Sequence, residues 1–139
     1  MLFRSWSSLN EAGAGSGCGV NSGTNALDFL GPSGERWATT IPFNTSMCTS
    51  IEFCMYMAND LSTGSSCENC DPGDDVEFQY SIDGGITWIL VKTLYESWWD
   101  TGGIYEDSWS CFTIPISAVA VTNNTQFRWY QTPTQGGGL

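Results

Sequence analysis

The sequence contains no histidine and only 4 basic residues, against 15 acidic ones. Without histidine there is no nucleophile–His dyad or Ser–His–Asp triad, and most catalytic zinc sites lose their usual ligand. The formal net charge of −11 leaves no basic surface to neutralise phosphates or anionic lipid. We therefore expect neither nucleic acid nor a membrane surface as a partner.

Long apolar runs are also missing. No stretch approaches the roughly 20 apolar residues of a membrane-spanning helix, so membrane insertion is not expected, and residues 1–6 are too short for a signal peptide. The 6 cysteines are typical of an oxidising compartment. We therefore expect a secreted, extracellular protein, of which this chain is an excerpt.

Hydrophobic residues make up 41% of the 139 residues, including 7 Trp and 7 Phe, enough for the core of one folded domain spanning residues 1–139. Apolar residues recur with a period of two, which is typical of strands. The clearest runs are Ile51–Met57 and Val76–Ser81, in which Glu77, Gln79 and Ser81 are predicted to face outward. Further strands are predicted at Ala26–Leu30, Trp37–Phe43, Ile86–Thr93, Cys111–Ile116 and Gln126–Gln131.

Many short strands joined by turns predict an all-β fold, specifically an antiparallel two-sheet jelly-roll sandwich. No segment carries a convincing helical apolar stripe. Two long loops interrupt the strands, at residues 59–75 and 96–107. The predicted core residues are Phe29, Phe53, Phe78, Trp88 and Phe127.

Residues 81–88 fit the pattern Ser-x-Asp-x-Gly-x-Thr-Trp, known as an Asp box. Asp83 can accept backbone hydrogen bonds across the turn, Gly85 permits a positive φ, and Trp88 can cover the base of the hairpin. A structural role for Asp83 is favoured over catalysis, because the pattern encodes hairpin stabilisation.

The cysteines are predicted to form disulfides. Cys67 and Cys70 have zinc-ligand spacing, but no second CxxC pair or histidine completes a site. All six cysteines are therefore expected to be oxidised. A Cys48–Cys54 bridge is excluded, because an extended segment would place their Cα atoms about 20 Å apart whereas a disulfide needs less than about 7 Å.

Calcium is the only cofactor that the sequence suggests. The candidate ligands are four acidic residues of the first long loop, Asp60, Asp71, Asp74 and Asp75, since calcium prefers several oxygen ligands. The alternative is a solvated acidic loop without a metal.

Surface positions are indicated by two features. Asn44 and Asn123 begin N-glycosylation sequons. The second long loop and its surroundings carry an aromatic cluster that could stack on a sugar or a partner protein, or fold over a small core of its own. Its members are Tyr95, Trp98, Trp99, Tyr105 and Trp109.

The ordered set of motifs resembles a reelin repeat, specifically one jelly-roll subrepeat of that extracellular family. The matching segments are Cys18-Gly19, Ala26–Phe29 with Gly31, Gly34 and Arg36, Ile51–Met57, Val76–Tyr80 leading into the Asp box, Ile114–Ile116 and Phe127–Gln131. The family's opening acidic strand and closing strand are missing, so the chain resembles a domain clipped at both ends, and the family's calcium ligands cannot be transferred.

The resemblance also implies a disulfide pattern. Cys18 is expected to pair with Cys67 or Cys70. Cys111 then pairs with Cys48 or Cys54, and the second loop cysteine takes the remaining one.

The resemblance implies a noncatalytic extracellular module that acts through protein contact, by receptor binding or by self-assembly into an array or filament. Contacts are expected through a terminal segment or an edge strand, whose unpaired backbone groups need a partner. The main alternative is a carbohydrate-binding module, which an aromatic row on one sheet face would favour. A glycoside hydrolase is a third possibility, but Glu52 and Glu77 are isolated and not clustered on one strand.

Overall fold

The computed structural model describes residues 6–16, 19–29, 34–57, 72–106 and 108–132. In this part of the chain every paired strand is antiparallel. The strands are β1 (Trp6–Asn10), β2 (Ala12–Gly15), β3 (Ala26–Phe29), β4 (Arg36–Thr40), β5 (Ser50–Met55), β6 (Val76–Ser81), β7 (Ile89–Leu94), β8 (Ser110–Pro115) and β9 (Gln126–Gln131). Two 3₁₀ turns cover Glu96–Trp98 and Ala118–Ala120.

The strands form one large sheet and two smaller pairs. The large sheet has the order β1-β4-β9-β6-β7, and the smaller pairs are β2-β3 and β5-β8. The predicted all-β antiparallel sandwich is confirmed. Within the described residues, no helix has the length and apolar character needed to cross a bilayer.

Two strands, β1 and β2, were not predicted. Their sequences, WSSLN and AGAG, lack the alternation of large apolar and polar residues that marked the other strands. They are joined at Glu11, which adopts a positive φ of 44°. Pairing with β4 and β3, and not intrinsic preference, therefore holds these segments extended.

The core lies between the sheets and is dominated by aromatic rings. Phe78 and Phe127 are buried, as predicted, and their rings stack with centroids 5.7 Å apart. Phe29 and Phe53 are partly buried and pack against this core. The prediction for Trp88 is wrong: β7 begins only at Ile89, so Trp88 stays in the preceding turn, half-buried.

Strand β6 is buried on both faces, which corrects the expectation for its outer side. Gln79 and Ser81 are buried although they alternate with core residues. The side chain of Arg128 covers this face, and its Nε donates to Gln79 Oε1 at 2.9 Å. Ser81 Oγ donates to Asp83 Oδ1 at 2.8 Å. Polar side chains, and not solvent, therefore cover the outer face of this central strand.

One predicted disulfide alternative is realised. Cys54 and Cys111 are directly opposite on β5 and β8 and are joined by a disulfide. Cys48 is an exposed free thiol, so the expectation that all six cysteines are oxidised is wrong for this residue. It lies in the turn before β5, away from the bonded pair. Cys18, Cys67 and Cys70 lie outside the described residues.

Candidate functional site

Strand β7 forms one edge of the large sheet and pairs only with β6 in the described part of the chain. Its register shifts by one residue, because Phe78 is opposite Lys92 while Gln79 is opposite Leu90. Val91 is the extra residue of this bulge. Ile89, Leu90 and Val91 are 43%, 52% and 37% exposed. Three consecutive aliphatic residues therefore face solvent on an open strand edge.

An apolar cleft of about 280 Å³ lies beside this edge, between the large sheet and the β5-β8 pair. Beyond the exposed residues of β7, its walls include Ile51, Phe78, Tyr80, Ile114, Ile116 and Ala120. Two of the lining residues carry hydroxyl groups, and Ser117 Oγ donates to Tyr80 Oη at 3.5 Å. Of the described residues that line the cleft, none is charged. The cleft is therefore suited to accept apolar side chains.

Of the two arrangements predicted for the aromatic cluster, the structure shows the second, in which the loop is largely folded on itself. Trp99 is fully buried, and its Nε1 donates to the carbonyl oxygen of Ser108 at 3.0 Å. Trp98 and Tyr105 are half-buried, with ring centroids 6.0 Å apart. Only Tyr95, 47% exposed, retains a large free surface among these four residues. Trp99 therefore offers no free stacking surface, because the loop closes over it.

The closed form of this loop depends on a close backbone approach. A Cβ on Gly103 would lie 2.5 Å from the carbonyl oxygen of Trp98 and 2.6 Å from that of Ser97. Lys92 also packs here, with Nζ 5.4 Å from the centroid of the Trp98 ring. Trp109 stacks on Tyr56, with centroids 5.7 Å apart. The loop therefore closes over Trp99 and extends the main core beside β7.

The Asp83 carboxylate points into its own turn. It accepts hydrogen bonds from the backbone N–H groups of Ile86, at 3.1 Å, and Thr87, at 2.9 Å. The hydroxyls of Thr87 and Ser81 also donate to it. These bonds, led by the Thr87 hydroxyl, lower the pKa of Asp83 to about 2. Gly85 has a φ of 86°, as the turn requires.

The acidic residues are dispersed in the described part of the chain. Asp75 Oδ1 accepts from the backbone N–H of Glu96 at 3.0 Å, and the backbone oxygen of Asp74 accepts from Gln131 Nε2 at 2.8 Å. No group of three or more His, Cys, Asp or Glu side chains that could hold a metal occurs among the described residues. Asp60 and Asp71 lie outside them.

Glu52 and Glu77 do not form a facing carboxylate pair. Glu77 is opposite Tyr130 on the outer face of the large sheet, where Gln79 Nε2 donates to it. Glu52 is exposed on β5, between the partly buried Ile51 and Phe53, and so lies on the outer face of the opposite layer. The core separates the two, whereas glycoside hydrolysis needs carboxylates across one bond.

The outer face of the large sheet carries aromatic residues that were not predicted as a surface. Trp37 is opposite Tyr130 on the neighbouring strand. The Arg128 guanidinium lies 4.2 Å from the Trp88 ring centroid and 4.7 Å from that of Tyr130. Tyr130 Oη donates to Glu35 Oε1 at 2.7 Å. The alternation along Gln126–Gln131, with Phe127 and Trp129 buried, contained the signal for this face.

Burial shifts the pKa values of two residues on this outer face, Arg128 and Tyr130. It lowers the pKa of Arg128 and raises the pKa of Tyr130, to which the hydrogen bond to Glu35 also contributes. A guanidinium keeps its charge despite such a shift, so Arg128 remains a cation held between two rings. The face is thus an array of rings and polar groups held by hydrogen bonds and cation–ring contacts.

In a comparison with known protein families, the family model described as Reelin subrepeat B matches residues 11–138. The matched segment includes the β7 edge, the cleft and the outer sheet face.

Proposed function

We propose that this chain, which belongs to the reelin subrepeat B family, is a noncatalytic extracellular module that binds protein through the β7 edge and the apolar cleft. The family consists of extracellular modules that act through protein contact, which supports the general assignment. The specific site rests on one observation: Ile89, Leu90 and Val91 are exposed above the cleft, on a strand edge that no other described strand pairs with.

Strand addition explains how this surface would bind. An edge strand offers backbone N–H and C=O groups that pair with any extended segment, while pockets for alternate side chains provide specificity. The cleft supplies such a pocket, bounded by Ile114 and Ile116 on one side and by β7 on the other. The preferred ligand is an extended segment with apolar residues at every second position.

The net charge of the chain favours a different protein over a second copy of this chain as the partner. Each chain carries a formal charge of −11, so two copies repel each other once they approach within the screening length, about 8 Å at physiological ionic strength. Self-assembly into a filament would need cations to offset this repulsion. A neutral or basic segment of another protein needs no such help, and we assign that partner to the β7 edge.

Peptide selection tests this proposal without a known partner. A phage library of random ten-residue peptides is selected on the wild-type protein and counter-selected on Leu90→Lys. Ile86→Lys is the matched control, since Ile86 is 82% exposed and lies outside the cleft lining. We expect alternating apolar peptides that bind wild type and Ile86→Lys but lose at least about tenfold in affinity for Leu90→Lys. Equal binding to all three proteins would contradict the proposed site.

Carbohydrate binding is a second candidate function, favoured by the neighbouring aromatic side chains on the outer face of the large sheet. Trp37 and Tyr130 are neighbours across β4 and β9, and Glu77 and Arg128 place charged groups beside them. Rings with adjacent polar groups suit neutral sugars. Calorimetric titration with neutral oligosaccharides should give binding that Trp37→Ala abolishes and Tyr95→Ala leaves unchanged. Binding that survives Trp37→Ala would exclude this face.

A further inference from the structure

The two N-glycosylation sequons lie at the same end of the fold. Phe43 and Thr125 exchange two backbone hydrogen bonds, of 2.8 and 3.0 Å. The next contact along is made by Thr45, whose backbone N–H donates to the carbonyl oxygen of Thr122 at 2.7 Å. The segments containing Asn44 and Asn123 are therefore adjacent, although they are far apart in sequence.

The first sequon, Asn44-Thr45-Ser46, presents both of its essential groups to solvent. Asn44 and Ser46 are exposed. Asn44 Oδ1 accepts from the Ser46 backbone N–H at 3.0 Å and from the Ser46 hydroxyl at 2.7 Å. The middle residue, Thr45, is the buried one. The amide and the hydroxyl that a transferase must engage are thus together on the surface, in a preformed turn.

The second sequon, Asn123-Asn124-Thr125, has the opposite arrangement. Asn123 is exposed, but Thr125 is 0% exposed. The Thr125 hydroxyl donates to the carbonyl oxygen of Ala120 at 2.8 Å and lies 2.8 Å from Thr122 Oγ1 and 3.1 Å from Thr45 Oγ1. The hydroxyl required at the third sequon position is therefore inside the fold and fully engaged.

We infer that Asn44 is a glycan acceptor in the folded protein, whereas Asn123 can accept a glycan only before the chain folds. The donor is an oligosaccharide linked to a polyprenyl diphosphate. Asn44 Nδ2 forms a bond to the anomeric carbon, the bond from that carbon to the diphosphate oxygen breaks, and the amide nitrogen gives up one proton. Nothing is oxidised or reduced. The glycan would give this end of the sandwich a bulky polar cover.

The test uses the full chain, produced with its disulfides in a bacterial periplasm and therefore unglycosylated at the start. An oligosaccharyltransferase and its lipid-linked oligosaccharide are added to folded protein and, separately, to reduced and denatured protein. Mass spectrometry then measures occupancy at each asparagine. Asn44→Gln and Asn123→Gln are the matched variants, each leaving one sequon.

In folded protein we expect occupancy of Asn44 to exceed that of Asn123 by at least about tenfold, because Thr125 becomes accessible only when its segment opens. In denatured protein the two should differ much less, and each Gln variant should lose only its own site. Comparable modification of Asn123 in folded protein would overturn the inference. So would an Asn44 that is modified only after denaturation, or is modified in neither form.

Discussion

Cys54 and Cys111 face each other across β5 and β8 and are bonded to one another. The bond joins positions separated by 57 residues in sequence and ties together the strand pair that forms one wall of the apolar cleft. Ile51 on β5 and Ile114 on β8 line that cleft. The covalent link and the proposed binding surface therefore depend on the same pair of strands.

Removing this disulfide should destabilise the protein strongly. The disulfide lowers the conformational entropy of the unfolded chain. For a loop of this length, removing it should lower the free energy of unfolding by about 4 kcal/mol. The double variant Cys54→Ala, Cys111→Ala should show this loss in urea titrations. Cys48→Ala is the control, because that thiol is exposed and free, and its change should stay within about 0.5 kcal/mol. A double variant as stable as wild type would refute a structural role for the bond.

Asp83 should make the stability of the protein sensitive to acid. Its pKa is lowered to about 2 in the folded protein, from the ordinary 3.8, so its ionised form favours folding. This contribution is complete above the unfolded pKa and is lost as the pH falls from about 4 to about 2. We expect Asp83→Ala to melt below wild type at pH 6, with the gap closing as the pH approaches 2.

The control for this comparison is Glu52→Gln, which removes one exposed carboxylate from β5 and so matches the change in net charge. It should not reproduce the pH-dependent gap of Asp83→Ala. An Asp83→Ala protein that melts at the wild-type temperature throughout this range would show that the turn does not depend on the carboxylate.

Gly103→Ala should loosen the aromatic loop beside β7. The new Cβ would meet two backbone oxygens at 2.5 and 2.6 Å, so the backbone and not a flexible side chain must move. Overpacking of this kind costs about 1 to 3 kcal/mol. The free energy of unfolding should fall accordingly, and the tryptophan emission of the protein, to which Trp99 contributes, should shift toward that of an exposed indole. Unchanged stability and an unchanged spectrum would contradict the described loop.

Local pattern was sufficient to predict some strands but not others. Gln126–Gln131 was predicted with its observed bounds, because strict alternation follows a clear Asn-Asn turn. β1 and β2 escaped prediction because small and polar residues there take their conformation from neighbouring strands. The misplacement of Trp88 has a similar cause: the strand start depends on pairing with β6, which is a nonlocal contact.

The sequence predicted that a strand edge would be exposed, but not which strand forms it. Sequence does not reveal which strand occupies an edge, because strand order is set by contacts between distant segments. The exposed run Ile89–Val91 resembles a buried strand in sequence, since three adjacent aliphatic residues show no period. For Trp99 the sequence left a surface position and a buried position open, because composition marks an aromatic loop but not how it folds over itself.

The central claim, that an extended segment binds the β7 edge, is tested most directly by hydrogen–deuterium exchange with a selected peptide bound. We predict that amides of residues 89–94 gain protection of at least about tenfold in wild type and gain none in Leu90→Lys at the same peptide concentration. Protection confined to the outer-face strands β4 and β9, with β7 unchanged, would contradict the account.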